Sequence, residues 1–368
     1  MIRATASALP LIMRENFAIS KQHQTTAEDD SGIVTRSPLR VSFVGGGSDL
    51  PEYFETFGGM CVGGAITKYN RLSAEFCPLQ NGSYECILNT GVALYDANGE
   101  KIVRSAFDEM KPGFSSEFAF RSFLDLAALG SGLGASASLS IAAVLSAAHY
   151  SGIRMTPNLV AETAYHVERT VCGFPVGKQD HYTASFGGLN VFTFHKNGET
   201  EATPVRISPS RLSELESWLL LAPITRSTPA NEILKAHGNR LKFCPRAIAA
   251  QHAIRREVEP FTSAIEAGGL TLAASILDSV WRLKRQIADA VSSPQIDSIY
   301  RVALNAGALG GKILGAGSGG HLLLMAPPEH QAGIRRALAP IALLPVTFDM
   351  LGGSRGLSQK GGSEVDQN

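Results

Sequence analysis

Gly130-Ser131-Gly132-Leu133-Gly134-Ala135-Ser136-Ala137-Ser138 runs without a break into the apolar stretch from Leu139 to Ala148. The reading of this segment decides the rest. Three glycines let the backbone approach a ligand closely, and the small residues after them open a helix whose first-turn N–H groups lack intrahelical partners. Those donors and the helix dipole favour an anion, and phosphate is the natural guest. A small-residue turn ahead of an Ala-rich helix is equally compatible with plain packing, so the neighbouring segments carry the decision.

The chain has 368 residues, 44% apolar and 18% charged, with Lys plus Arg equal to Asp plus Glu at 33 each. That is the composition of a globular protein with an ample core. It shows neither the basic surface expected of a nucleic-acid binder nor an apolar run of the ~20 residues that a membrane helix needs. Cys61, Cys77, Cys86, Cys172 and Cys244 form no CxxC pair, which points to reduced thiols in a cytoplasmic protein rather than to zinc or disulfides. Residues 1–37 read as a flexible extension and 356–368 as a loose tail, with a homodimer left open.

Working outward from the glycine run, Arg40 to Val44 alternates like a strand and breaks at Gly45-Gly46-Gly47, after which Pro51 opens a helix. Gly63 to Phe76, Glu85 to Asn89 and Glu117 to Leu126 read as strands, and Lys101 to Met110 as a helix. Thr156-Pro157 starts a helix with an apolar stripe at Val160, Ala164, Val167 and Val171, and Glu168 stands at its edge. Gly177-Lys178-Gln179-Asp180-His181-Tyr182 reads as a short loop. Beyond residue 205 an apolar strand, Trp218 to Ile224, precedes a mostly helical stretch from Glu232 to Asn305. A strand–turn–strand follows from Lys312 to Met325, then a helix at His330 to Ala339 and a final strand at Val346 to Leu351. The pattern is α+β in two halves: 38–205 and 206–355.

Gly315-Ala316-Gly317-Ser318-Gly319-Gly320 satisfies GxGxxG, but it sits between two strands, not between a strand and a helix, which argues against a dinucleotide site. Gly307 to Lys312 and Gly173 to Lys178 each resemble half of a Walker loop. No Ser or Thr follows either lysine, which argues against an ordinary P-loop. Ser136, Glu168 and Asp180 could together form the oxygen-rich shell that Mg²⁺ prefers, most of its ligands coming from phosphate and water.

Four segments together resemble the GHMP family of small-molecule kinases, and within it the branch that acts on heptose 7-phosphate. They are Pro38 to Leu50, Gly130 to Ser138, Gly177 to Asp180 with Phe186 to Asn190, and Gly310 to Gly320. The resemblance implies a two-domain GHMP kinase fold, with an N-terminal half like ribosomal protein S5 domain 2 and a ferredoxin-like C-terminal half. It implies ATP and Mg²⁺ as cofactors and a small-molecule sugar phosphate as partner. By position, Gly130, Ser131, Gly132, Leu133, Gly134, Ala135, Ser136 and Ala137 become the ATP phosphate loop. Ser136 and Glu168 become the metal ligands, and Asp180 the base on the substrate hydroxyl with Arg40 beside it. Gly46, Gly47, Ser48, Asp49, Lys178, Asp180, Lys284, Gly317 and Ser318 become substrate contacts. Arg226 and Arg355 are further candidate cations for a distal phosphate. His181 stands where the heptose branch commonly has glutamine, and Ser318 where it has glycine. Fucose or galactose as the acceptor, or a non-catalytic sugar- and ATP-binding regulator, are the alternatives.

Overall fold

A computed structural model describes residues 33–76, 97–125, 131–225 and 228–356. The expected strand at Glu85 to Asn89, the candidate residues Gly130 and Arg226, most of the N-terminal extension and the tail after 356 lie outside these residues. The first sheet is built from β1 (Ile33–Val44), β2 (Gly59–Phe76), β3 (Phe118–Leu124), β4 (Leu189–Phe194), β5 (Thr200–Pro204) and, from the far end of the chain, β10 (Ser354–Gly356). Its order is β10-β1-β2-β4-β5, and β3 pairs with the distal half of β2. From Ser37 onward every residue of β1 is buried, as expected of a strand covered on both faces.

The glycine run feeds α3 (Ala135–Tyr150), which follows α1 (Pro51–Phe57) and α2 (Ala97–Met110) in the chain. α3 is buried nearly all round, and its small residues let it lie close on β1. The hydroxyls that this proximity buries are satisfied on backbone. Ser138 Oγ donates to Ser37 O at 2.8 Å, Ser140 Oγ to Ala164 O at 3.1 Å, and Thr35 Oγ1 to Ala142 O at 2.8 Å. Around α3 pack α2, α4 (Pro157–His166) and α5 (Gln179–Phe186). Thr156 caps α4, its hydroxyl accepting from Leu159 N–H.

α6 (Pro209–Trp218) leads into the second sheet, made of β6 (Leu219–Ile224), β7 (Gly310–Ile313), β8 (Gly320–Met325) and β9 (Leu344–Pro345). It is antiparallel with order β7-β8-β6-β9. Between β6 and β7 the chain is helical: α7 (Ala230–Phe243), α8 (Pro245–Arg256), α9 (Val258–Ala267), α10 (Leu270–Lys284) and α11 (Pro294–Asn305). α12 (Pro328–Ala337) follows β8. α10 lies so close to β7 that a Cβ on Gly310 would stand 1.9 Å from Ala274 O. The fold is α+β, as the element pattern implies.

Three segments differ from the sequence reading. Ile33 to Ser37, expected in the flexible extension, belong to β1 because they pair with β2 and β10. Gln179 to Phe186 is a helix, not part of a loop. Val346 to Leu351 is an extended segment with one bridge, Phe348 to Ile66, because its backbone bonds the first sheet instead of the second. Thr67 N–H donates to Thr347 O at 2.9 Å and Asp349 N–H to Ala65 O at 2.9 Å.

Candidate active site

A cleft of about 420 Å³ lies between the two sheets, walled by the turn after β1, the start of α3, α5 and the C-terminal helices. The phosphate-loop residues Ser131, Gly132, Gly134, Ala135, Ser136 and Ala137 line it, while Leu133 is buried in the core. Gly134 is the N-cap of α3 with φ 75° and no side-chain cap, so the first-turn donors are left for a ligand. Gly132 (φ 73°) meets the β7–β8 turn: a Cβ there would stand 2.5 Å from Leu314 O. The two glycine loops, far apart in sequence, touch through their backbones.

Arg40 joins this loop to Asp180. Its Nε donates to Asp180 Oδ1 at 2.6 Å, Nη2 donates to Oδ2, and Nη1 donates to Gly132 O at 2.6 Å. The Arg40 side chain is 4% exposed and that of Asp180 31%, so the carboxylate is held from behind and presented to the cleft. A planar, permanently charged fork suits this bidentate role as lysine would not.

Glu168 sits on a π-helical turn, Val167–Val171, that continues α4. Such turns recur at functional sites because they redirect one side chain. Glu168 Oε2 is hydrogen-bonded to His181 Nε2, both residues being fully buried, and Oε1, also buried, has no partner among the described residues. Ser136, by contrast, is exposed to the cleft. An unpaired carboxylate oxygen and an open hydroxyl are the hard donors that Mg²⁺ takes. Among the described residues no group of three or more His, Cys, Asp or Glu could hold a metal alone. The donor set therefore fits a divalent ion that arrives with phosphate oxygens and water.

Asp49 ties the glycine turn to α5. Its Oδ1 accepts from Gly47 N–H at 2.8 Å and its Oδ2 from Gln179 N–H at 3.1 Å. Burial, with Asp180 nearby, raises its pKa above the usual carboxylate value. Gly177 permits the approach, since a Cβ there would stand 2.0 Å from Asp49 Oδ2.

Of the expected substrate contacts, Gly46, Gly47, Asp49, Asp180 and Lys284 line the cleft. Ser48, Lys178, Gly317 and Ser318 do not, and three of these have clear engagements elsewhere. Ser48 Oγ donates to Gly45 O at 2.7 Å and to Met60 O at 2.8 Å. The Lys178 ammonium pairs with Glu162 at 2.6 Å and donates to Gly198 O at 2.5 Å. Ser318 (φ 62°) donates its N–H to Val291 O at 2.9 Å and accepts from Thr228 N–H at 3.0 Å. Lys284 Nζ donates to Gly315 O at 2.6 Å and so supports the β7–β8 turn. Arg355 lies on β10, in register with Thr35.

Sequence reasoning missed Lys312 and His237, which also line the cleft. Lys312 Nζ donates to Phe43 O at 2.7 Å, linking β7 to β1, and burial with Lys284 nearby pushes its pKa well below the usual lysine value. Its place inside the Gly310 to Gly320 segment is the one signal that could have found it. Burial, then the Lys284 charge, lowers the pKa of His237 to about 4. Between that value and 6.5 the unfolded chain binds the proton and the folded chain does not, so stability rises with pH across the window. Wild type should lose up to about 3 kcal/mol more than His237→Gln between pH 7 and pH 4, read from urea midpoints.

The described residues contain no helix long and apolar enough to cross a membrane. The model of the GHMP kinases N-terminal domain matches residues 101–188, and that of the GHMP kinases C-terminal domain matches residues 261–341. The chain is 28% identical over 317 residues to a D-glycero-alpha-D-manno-heptose 7-phosphate kinase of Campylobacter jejuni, covering 83% of this chain and 93% of that one. It is 26% identical over 222 residues to a mevalonate kinase of Thermococcus sibiricus, covering 59% and 62%. A D-glycero-D-manno-heptose 1-phosphate kinase crystal structure from Bacteroides thetaiotaomicron shares the fold, with TM-score 0.69, 22% identity and coverage of 89% and 100%.

Proposed function

We propose, for a chain that belongs to the GHMP kinases and is a phosphotransferase acting on a sugar hydroxyl, the substrate and the residues that serve it. The acceptor is the anomeric hydroxyl of a D-glycero-D-manno-heptose 7-phosphate, the donor is ATP with Mg²⁺, and the product is the 1,7-bisphosphate, a precursor for nucleotide-activated heptose. The likeness to the Campylobacter heptose 7-phosphate kinase over most of both chains supports the acceptor. One observation carries the chemistry: Arg40 grips both Asp180 and the carbonyl of Gly132, so base and phosphate loop are set by a single side chain.

In this reading Asp180 accepts the proton of the sugar hydroxyl as its oxygen bonds to the γ-phosphorus. The bond from that phosphorus to the β–γ bridging oxygen breaks, and ADP leaves. The N–H groups opening α3 receive the phosphate oxygens, and positioning with charge neutralisation supplies most of the rate. Ser136 and Glu168 would hold Mg²⁺, which would offset charge on the transferring phosphate. ADP release measured with ATP, Mg²⁺ and a panel of heptose, fucose and galactose compounds tests the reading. Activity is expected with heptose 7-phosphate, and no sugar-dependent ADP from any of them would sink it. Melting shifts with ATP and sugar but no ADP would instead indicate a regulator.

A second reading, an acceptor without a distal phosphate, is favoured by the commitment of Lys178 to Glu162 and Gly198 away from the cleft. Lys178→Met is accordingly expected to lower the melting temperature by several degrees while shifting acceptor KM less than about threefold, because its ammonium supports the fold. A KM increase of about tenfold or more, specific to a phosphorylated acceptor, would restore Lys178 as a substrate cation.

A further inference from the structure

His237 and Gln251 form a buried polar pair beside the cleft. His237 on α7 is 4% exposed and Gln251 on α8 is fully buried. Neither His237 Nε2 nor Gln251 Oε1 has a hydrogen-bond partner of good geometry among the described residues; they face each other in a loose contact that partly offsets the lowering of the His237 pKa. Buried polar atoms are nearly always well paired in native proteins, so a loose contact of this kind beside the cleft leaves room for a ligand oxygen to complete it. His237 itself lines the cleft. Both groups crowd the glycine turn: a Cβ on Gly47 would stand 2.6 Å from Gln251 Oε1 and 3.1 Å from His237 Nε2. Gly47 has φ 94° and lacks a side chain, which leaves the imidazole its approach to the turn. Asp49, through Gly47 N–H and Gln179 N–H, ties that turn rigidly to the helix carrying Asp180.

α7 presents a single stripe to the cleft. Ala230, Asn231, Leu234 and His237 all line it, at the spacing of one helix face. His237 is therefore delivered by a regular helix rather than by a loop, and its place is fixed by packing.

We propose that His237 is a specificity-determining residue of the acceptor site, its Nε2, backed by Gln251, hydrogen-bonding an oxygen of the acceptor other than the one phosphorylated. The ligand class is a polyhydroxylated or phosphorylated sugar, and a hydroxyl or a phosphate oxygen supplies the same hydrogen-bonding chemistry. The inference rests on the kinase reading above. Held neutral by burial and the nearby Lys284, the imidazole offers a directional hydrogen bond without adding a charge.

Steady-state kinetics of His237→Phe, His237→Gln and Gln251→Met test it, using whichever acceptor of the panel the wild type turns over. Acceptor KM is expected to rise ~10-fold or more in His237→Phe, with partial rescue in His237→Gln, while ATP KM moves less than about twofold. A rise confined to the phosphorylated acceptor identifies a phosphate oxygen as the partner. A rise shared with its unphosphorylated analogue identifies a hydroxyl. Unchanged acceptor KM in folded His237→Phe, or an equal rise in ATP KM, overturns the proposal. Should His237→Phe fail to fold, acceptor KM of Gln251→Met decides by the same criteria. If the wild type prefers another sugar, the heptose assignment falls while the His237 effect is still measured; if it uses heptose 7-phosphate and KM is unmoved, only this inference falls.

Discussion

Asp180→Asn lowers kcat on the order of 10³-fold and leaves ATP KM within a few-fold, the pattern expected when a general base is removed from a site that otherwise stands. Asparagine keeps the shape of the side chain and one oxygen that can still accept from Arg40. Arg40 also retains Gly132 O, so its guanidinium is not left wholly unpaired. Both bonds lose their charge assistance and the amide N–H₂ turns a donor toward the guanidinium, so stability should fall by about 2–4 kcal/mol. Melting curves with and without ATP·Mg²⁺ separate the two effects, since nucleotide should still stabilise the variant. A fall in kcat below tenfold would remove Asp180 from the chemistry.

The second large effect is expected at the meeting of the glycine loops. In Gly132→Ala a methyl group must occupy a position 2.5 Å from Leu314 O on a backbone with φ 73°. The left-handed conformation and the backbone clash together should destabilise the protein by about 2–4 kcal/mol. Because the clash pushes the two loops apart where the phosphates must be gripped, kcat/KM for ATP should also fall ~10²-fold. Gly152→Ala is the control, for it shares a positive φ, 68°, yet its Cβ would meet nothing within 4 Å. Urea midpoints and ATP kinetics of both variants decide the matter. Equal losses in the two would mean that backbone strain alone, not loop contact, accounts for the effect.

Much of the fold is legible because several elements carry local signals. α3 is small and apolar on every side, Thr156-Pro157 caps α4 where expected, and the strands flanking Gly315 to Gly320 fall nearly where their apolar runs put them. α5 gives no such signal because it buries Gln179, His181, Thr183 and Ser185 as well as Tyr182 and Ala184, so no apolar stripe marks it. β10 lies in a Gly/Ser-rich stretch whose pairing with β1 is entirely long-range. The glycine run and the oxygen donors suggest a phosphate and a metal from the residues alone, but the roles of Arg40 and Asp180 are legible only through resemblance to known kinases. Arg40 and Asp180 are 140 positions apart, and no periodicity or spacing announces their contact. His237 is invisible for a different reason: a histidine on an ordinary amphipathic helix gives no hint that its ring will be buried beside the cleft.

The pairing of β10 with β1 has a mechanical consequence. Val34 faces Gly356, Thr35 faces Arg355 and Arg36 faces Ser354, so the first and last described residues lie at one edge of the same sheet. Tension between those ends peels the three register pairs apart one after another, an unzipping geometry in which no two bonds resist together. Behind that strand Gly352 and Gly353 rest on Ser185 and Ala184 of the helix bearing Asp180, so the same pull is passed on toward the cleft.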